Sequence, residues 1–243
     1  MTILGYGIAE DKTTVIVADS VVTTSDKHGK NQRWLRVDKI RFYPSIQTGI
    51  AFAGWKGPFD AIDILLRWIE IGKPDSLLHD MNFVVKAAVQ LLNAAWDYRE
   101  YLPKNGDFSF IFLIKHGSIQ CWVYQILNQQ VTLRVSHAEN IPPGKLTFYS
   151  PNRCCSEELG DIKTPKDIEK EIWEKMKIKW TGIYPLGDSY SYLMFSANGT
   201  PSFKTNFNSF IEYTAHSEAT CQEEQKSLEM TLQRFCSSWK FKE

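Results

Sequence analysis

The order in which the hydrophobic period changes along the chain constrains its fold more than any single residue does. Apolar runs over 3–9 and 13–18, with Glu10-Asp11-Lys12 between them, predict an opening β-hairpin. The polar stretch over 23–31 reads as an exposed loop, and strands are expected over 39–43 and 48–53, parted by Pro44-Ser45. The period then becomes helical. Ala61, Ile62, Leu65, Leu66, Trp68 and Ile69 form one stripe closed by Gly72 and Pro74. A second helix is predicted over about 79–101 from Phe83, Val84, Ala87, Ala88, Leu91, Leu92, Ala95 and Trp96. Strand spacing returns over 108–114, 120–124, 131–135 and 146–149. Helices are expected over 152–159 and 165–179, strands over 190–195 and 202–207 around Asn198-Gly199, and a last helix over about 215–239. Blocks of strands separated by helix pairs suggest two sheets facing each other with helices outside. The expected fold class is α+β: a four-layer αββα sandwich of two antiparallel sheets.

Composition then removes whole classes of function. Lys plus Arg and Asp plus Glu are 28 each, so the formal charge is zero, which argues against a nucleic-acid coat or a polybasic membrane binder. Hydrophobic residues at 43% exclude wholesale disorder. Apolar runs such as 110–114 fall far short of the ~20 residues that span a bilayer, and no basic leader precedes the first one. A cytoplasmic chain is expected. Five cysteines, with Cys154 and Cys155 adjacent and no CxxC pair, read as reduced thiols. The five scattered histidines show no metal-ligand spacing, so neither metal nor cofactor is expected. No linker or composition shift divides the chain, and a single domain over 1–243 is expected.

The chemistry begins at the N-terminus. Thr2 follows Met1, and Met is normally trimmed before so small a side chain. Trimming leaves Thr2 with a free α-amine beside its own hydroxyl. An α-amine titrates near ~8, so it can take the hydroxyl proton at neutral pH. The dipeptide alone says little. Downstream, however, come Thr14-Val15-Ile16-Val17-Ala18-Asp19-Ser20, Thr23-Thr24, Asp38-Lys39-Ile40 and Gly49-Ile50-Ala51-Phe52-Ala53-Gly54, in that order and closely spaced.

Those four motifs over residues 2–54 resemble the proteasome β-subunit superfamily, including the bacterial peptidases with its N-terminal-nucleophile (Ntn) fold. The resemblance implies roles at matching positions. Thr2 is the nucleophile once Met1 is gone. Lys39 lowers the pKa of its hydroxyl, and Asp19 keeps Lys39 charged and oriented. The Gly54 N–H donates to the oxyanion. Thr23 aligns an extended peptide through its backbone, while Val22, Val37 and Phe52 surround an apolar substrate side chain. Ser150 matches the serine that the family carries before its third helix. A peptide or protein substrate and a ring-type homo-oligomer are implied as well, with any unfoldase partner left open.

Taken singly, Asp19 is a turn former, Lys39 an edge-strand gatekeeper and Gly54 a strand-to-helix joint. The sequence also departs from the family pattern. Trp55 stands where a second glycine is usual. Ile183 and Leu186 stand where a late Asp and Ser are expected, with Asp188 and Ser189 nearby as substitutes. A threonine peptidase is therefore the first expectation. The alternatives are a proteasome-like subunit without activity and an Ntn enzyme acting on small amides.

Overall fold

The computed structural model describes residues 3–25, 32–36, 38–72, 81–94, 108–134, 139–140, 143–150, 155–161, 168–179, 190–205, 229–231 and 233. The strands are β1 (Leu4–Ile8), β2 (Thr14–Asp19), β3 (Val21–Ser25), β4 (Gln32–Arg36), β5 (Ile40–Tyr43), β6 (Thr48–Gly54), β7 (Phe108–Lys115), β8 (Ser118–Leu127), β9 (Gln130–Leu133), β10 (Glu139–Asn140), β11 (Lys145–Ser150), β12 (Cys155–Asp161), β13 (Tyr190–Phe195) and β14 (Pro201–Lys204). The helices are α1 (Gly57–Gly72), α2 (Met81–Ala94) and α3 (Ile168–Lys179). One sheet runs β12-β11-β1-β2-β13-β14, a second runs β10-β8-β7-β6-β5 with β9 on β8, and β3-β4 is a separate two-stranded ribbon. Among the described residues no helix is long and apolar enough to cross a membrane.

The chain gathers into two compact units. The first holds residues 1–54, 110–122 and 137–216. Its core lies between the sheets: Leu4, Tyr6, Ile8, Ile16, Ala18, Leu193 and Phe195 from the first pack with Ile40, Ala51, Ala53, Phe112, Ile114 and Ile119 from the second. The other face of the first sheet is covered too. Val15 and Val17 pack there with Ile3 and with Ile168, Ile172, Trp173 and Met176 of α3. Burial on both faces explains why 14–18 reads as an unbroken apolar run rather than an alternating one.

Helix α3 rests directly on the backbone of β1. A Cβ added at Gly5 would lie 2.3 Å from Ile172 Cγ2 and 2.7 Å from Met176 Sδ, so this position demands a residue without a side chain. Gly5→Ala is expected to lower the unfolding free energy by about 1–3 kcal/mol, the cost of overpacking, measured by urea denaturation. An unchanged midpoint would show that α3 does not bear on β1 this closely.

The second unit holds residues 55–109, 123–136 and 217–243. Helix α2 buries Val84, Ala87, Ala88, Leu91 and Leu92 of the predicted stripe together with Met81 and Val85, while Phe83 is half-buried and Ala95 and Trp96 lie outside the described residues. Asn93 brackets β9, donating to Val131 O at 2.8 Å and accepting from Val131 N at 2.9 Å. Tyr124 Oη donates to Val85 O at 2.9 Å. Burial pushes the Tyr124 phenol well above its ordinary pKa.

Two sequence expectations are overturned. Residues 155–161 are not helical: they form β12, antiparallel to β11 from Ser150↔Cys155 to Lys145↔Asp161. The Ser, Glu and Leu content there suits a helix locally, but a ladder with a strand already fixed in the core supplies more hydrogen bonds than one short turn of helix. The supposed loop over 23–31 is also partly strand. Thr23–Ser25 completes β3, which pairs with β4 in the register Val22↔Leu35 and Thr23↔Trp34. β-branched Val21, Val22, Thr23 and Thr24 were the overlooked signal. Of the closing helix over 215–239, residues 229–231 and 233 are described and helical, and the rest lies outside the described residues.

Candidate active site

The site is built at one end of the first sheet by register alone. Asp19 is opposite Tyr190, and Ser150 is opposite Cys155. Leu4 is opposite both Ala18 and Tyr149, so the next residue back, Ile3, lies between Asp19 and Ser150 in the same row. Ile3 is the residue bonded to Thr2.

Asp19 closes that end of the ladder with its carboxylate. Its own N–H donates to Ile3 O at 3.2 Å. In return, Ile3 N–H donates to Asp19 Oδ1 at 2.8 Å, and Val21 N–H donates to Oδ2 at 3.0 Å. The carboxylate thus fixes the start of β1 and the turn from β2 into β3 together.

Lys39 comes from the other sheet. Its ammonium donates to Asp19 Oδ1 at 2.6 Å and to Val21 O at 2.5 Å. Oδ1 is therefore shared by Lys39 Nζ and the N–H of Ile3. The Lys39 side chain is 0% exposed and that of Asp19 is 3% exposed. Burial pushes the Lys39 ammonium below its ordinary pKa, and the Asp19 charge and hydrogen bond pull it partly back. A buried ion pair is poor value as a stabilising device, because desolvation offsets most of the attraction. A lysine whose pKa burial lowers despite its carboxylate partner, set at a sheet end, is a candidate for chemistry.

Phe52 N–H donates to Lys39 O at 3.2 Å, which ties β6 to this point. Gly54 follows two residues on, about 7 Å along the strand. It is exposed and adopts φ 90°, a conformation that favours glycine, where the chain leaves β6. Phe52 is fully buried, and since Ala51 and Ala53 face the inter-sheet core, its ring lies on the opposite face of that sheet. Val22 and Thr23 lie on β3 directly after Val21, whose carbonyl accepts a hydrogen bond from Lys39. The register thus places Ile3 between Asp19 and Ser150, and Lys39 reaches Asp19 from beside the second sheet. Val22 and Thr23 continue from Val21, Gly54 ends β6, and the Phe52 ring faces away from the inter-sheet core. Thr2, Val37, Ile183, Leu186, Asp188 and Ser189 lie outside the described residues.

Sequence reading missed three parts of this network: the N–H of Ile3, the amide and carbonyl of Val21, and Tyr190 in register with Asp19. The first two are backbone groups, which carry no sequence signal. In the second unit, Trp55 is half-buried and its backbone is held by Phe108 O at 3.5 Å and by Ser109 Oγ at 2.5 Å. Among the described residues, no group of three His, Cys, Asp or Glu residues could hold a metal ion.

No family model matches the chain, and no curated protein matches it in sequence. Among solved structures, Anbu (ancestral beta-subunit) from Yersinia bercovieri matches with a TM-score of 0.51 at 9% identity, covering 98% of this chain and 97% of that one. The fold is that of the proteasome-like Ntn hydrolases. Anbu from Hyphomicrobium sp. strain MC1 has a TM-score of 0.45 at 10% identity with 100% of both chains covered. Eukaryotic HslV from Trypanosoma brucei has a TM-score of 0.42 at 12% identity, with 80% of this chain and 98% of that one covered. At 9% identity the likeness carries the architecture alone.

Proposed function

We propose that this chain is a threonine-nucleophile amidohydrolase, a peptidase working as a closed, ring-type homo-oligomer in the cytoplasm. One observation carries the reading: the buried Lys39 ammonium shares Asp19 Oδ1 with the N–H of Ile3, the residue joined to Thr2. A positive charge is thereby held on the same carboxylate oxygen as the peptide N–H that follows the proposed nucleophile.

After removal of Met1, the Thr2 α-amine accepts the hydroxyl proton as Oγ attacks the substrate carbonyl carbon. Lys39 stabilises the developing alkoxide, and Asp19 keeps Lys39 in place. The Gly54 N–H receives the oxyanion. Collapse breaks the C–N bond, the amine leaves with the proton, and an ester to Thr2 remains. Water activated by the α-amine then cleaves the ester and regenerates Thr2. Substrate lies along the β3 edge at Thr23, with Val22, Val37 and Phe52 around its apolar side chain and Ser150 at the α-amine, assisted by Asp188 and Ser189.

Intact mass of the purified protein should show loss of one Met. An electrophilic peptide should add covalently to the wild type and fail to add to Thr2→Ala. Retention of Met1 sinks the mechanism.

A second reading, a proteasome-like subunit without activity, is favoured by Trp55 in place of the second glycine and by Ile183 and Leu186 in place of the late Asp and Ser. Under it, no electrophile labels the wild type, and Lys39→Ala changes stability alone.

A further inference from the structure

We propose that Asn198 is a self-modifying position, whose side-chain amide is lost by spontaneous deamidation at a rate set by a contact that His116 makes between the two sheets. Asn198 and Gly199 stand at the apex of the loop joining β13 to β14. Asn198 is exposed, and Gly199 adopts φ 82°. Glycine suits that conformation and leaves its backbone nitrogen without a shielding Cβ.

The reaction needs no enzyme. The Gly199 backbone nitrogen, its proton taken by solvent base, attacks Asn198 Cγ and forms a cyclic imide. The Cγ–Nδ2 bond breaks, and Nδ2 leaves with a proton as ammonia. Water then adds to one of the two imide carbonyls and opens the ring, leaving aspartate or isoaspartate.

The folded loop holds both reacting groups away from this path. Gly199 N–H donates to Ser196 O at 2.8 Å, so its proton is engaged. Asn198 Oδ1 accepts from Ser196 Oγ at 2.6 Å and from Thr200 N–H at 3.1 Å, which fixes the side chain over Thr200. Attack therefore waits for the loop to open.

His116 controls that opening from the turn between β7 and β8. Its Nε2 lies 3.1 Å from Ala197 O, and a carbonyl can only accept, so Nε2 is the donor. The ring also covers Gly199: a Cβ placed there would lie 3.7 Å from His116 Cγ and 3.7 Å from Nδ1. The His116 turn has its own anchor, since Gly117 N–H donates to Thr14 Oγ1 at 2.7 Å, and Thr14 is opposite Phe195, next to Ser196. Isoaspartate would route the backbone through the former side chain and lengthen the apex by a methylene. Ala197 O is then drawn off His116, and the clasp between the sheets is lost irreversibly.

The test is independent of any activity at Thr2. Full-length protein is held in neutral buffer, and peptide mapping by mass follows Asn198 separately from Asn105, which is also followed by glycine. Folded wild type should deamidate at Asn198 at least about tenfold more slowly than the same chain in urea, the effect of a local opening equilibrium. His116→Ala and, separately, Ser196→Ala should each raise the folded rate by at least about threefold. His116 is exposed and Gly117 keeps its anchor, so the first variant retains the fold, which circular dichroism checks. Gly5→Ala, which lowers stability from outside this loop, should leave the rate unchanged. Equal rates in folded and urea-treated wild type overturn the proposal, as does a wild-type rate in both loop variants. Equal acceleration by Gly5→Ala would assign the reaction to global unfolding and overturn the role of His116.

Discussion

Asp19→Ala is expected to lower the unfolding free energy by about 3–5 kcal/mol, the range for stripping one partner from a buried ion pair. The loss is large because three donors converge on one carboxylate: Ile3 N, Val21 N and Lys39 Nζ. Without it, a fully buried ammonium keeps Val21 O but loses its counter-charge. Lys39→Met should cost less. It leaves Asp19 with two backbone N–H donors and removes the desolvation penalty of the lysine. The double variant should fall short of the sum of the singles by about 1–3 kcal/mol, the coupling expected of residues in one network. Urea denaturation of the four proteins measures all three quantities. A loss below about 1 kcal/mol for Asp19→Ala would remove Asp19 from the structural role given to it.

The same pair sets a pH dependence. Burial makes folded Lys39 release its proton below the ordinary lysine value of 10.5 that applies to the unfolded chain. Between those two values the unfolded chain binds more protons, so stability relative to Lys39→Met rises with pH across that interval. Below the folded value the cost of the buried ammonium is present in full and does not vary. A difference that falls with pH over the interval would reverse the assigned direction.

Lys39→Met is expected to slow acylation of Thr2 by an electrophilic peptide about 10²–10³-fold, the usual loss when one preorganised charge or donor is removed from an oxyanion-type site. Lys39→Arg should not restore the rate. The guanidinium fork is larger and planar, and the position has no exposed surface into which it could expand. In the wild type, the acylation rate should change with pH below the ordinary lysine range, and that limb should be missing from Lys39→Met. Single-turnover labelling followed by intact mass gives both results. Equal rates for wild type and Lys39→Met would assign Lys39 to architecture alone.

Much of the fold was legible because most of its strands lie in contiguous runs with matching turns. The 3–9 and 13–18 hairpin, the α2 stripe and the 190–195 strand all follow local period. The errors fall where pairing partners are distant or local preference points elsewhere. β12 has a helix-compatible composition and becomes a strand only against β11, and β3 needs β4 to complete a ribbon. For the site, residue types and motif order singled out Asp19 and Lys39, whereas the backbone groups that bind them carry no sequence mark.

The sequence by itself determined the alternating blocks of strand and helix and the chemical repertoire of residues 2–54, since each is a property of neighbours along the chain. Only the tertiary structure decided that Lys39 is buried without exposure and that its ammonium shares one oxygen of Asp19 with Ile3 N–H. Those groups are 20 and 16 residues from Asp19, each just before the first residue of a strand, in two different sheets. Their meeting depends on register and on the closing of a core, which set the distances and the dielectric that make an ordinary lysine an unusual one.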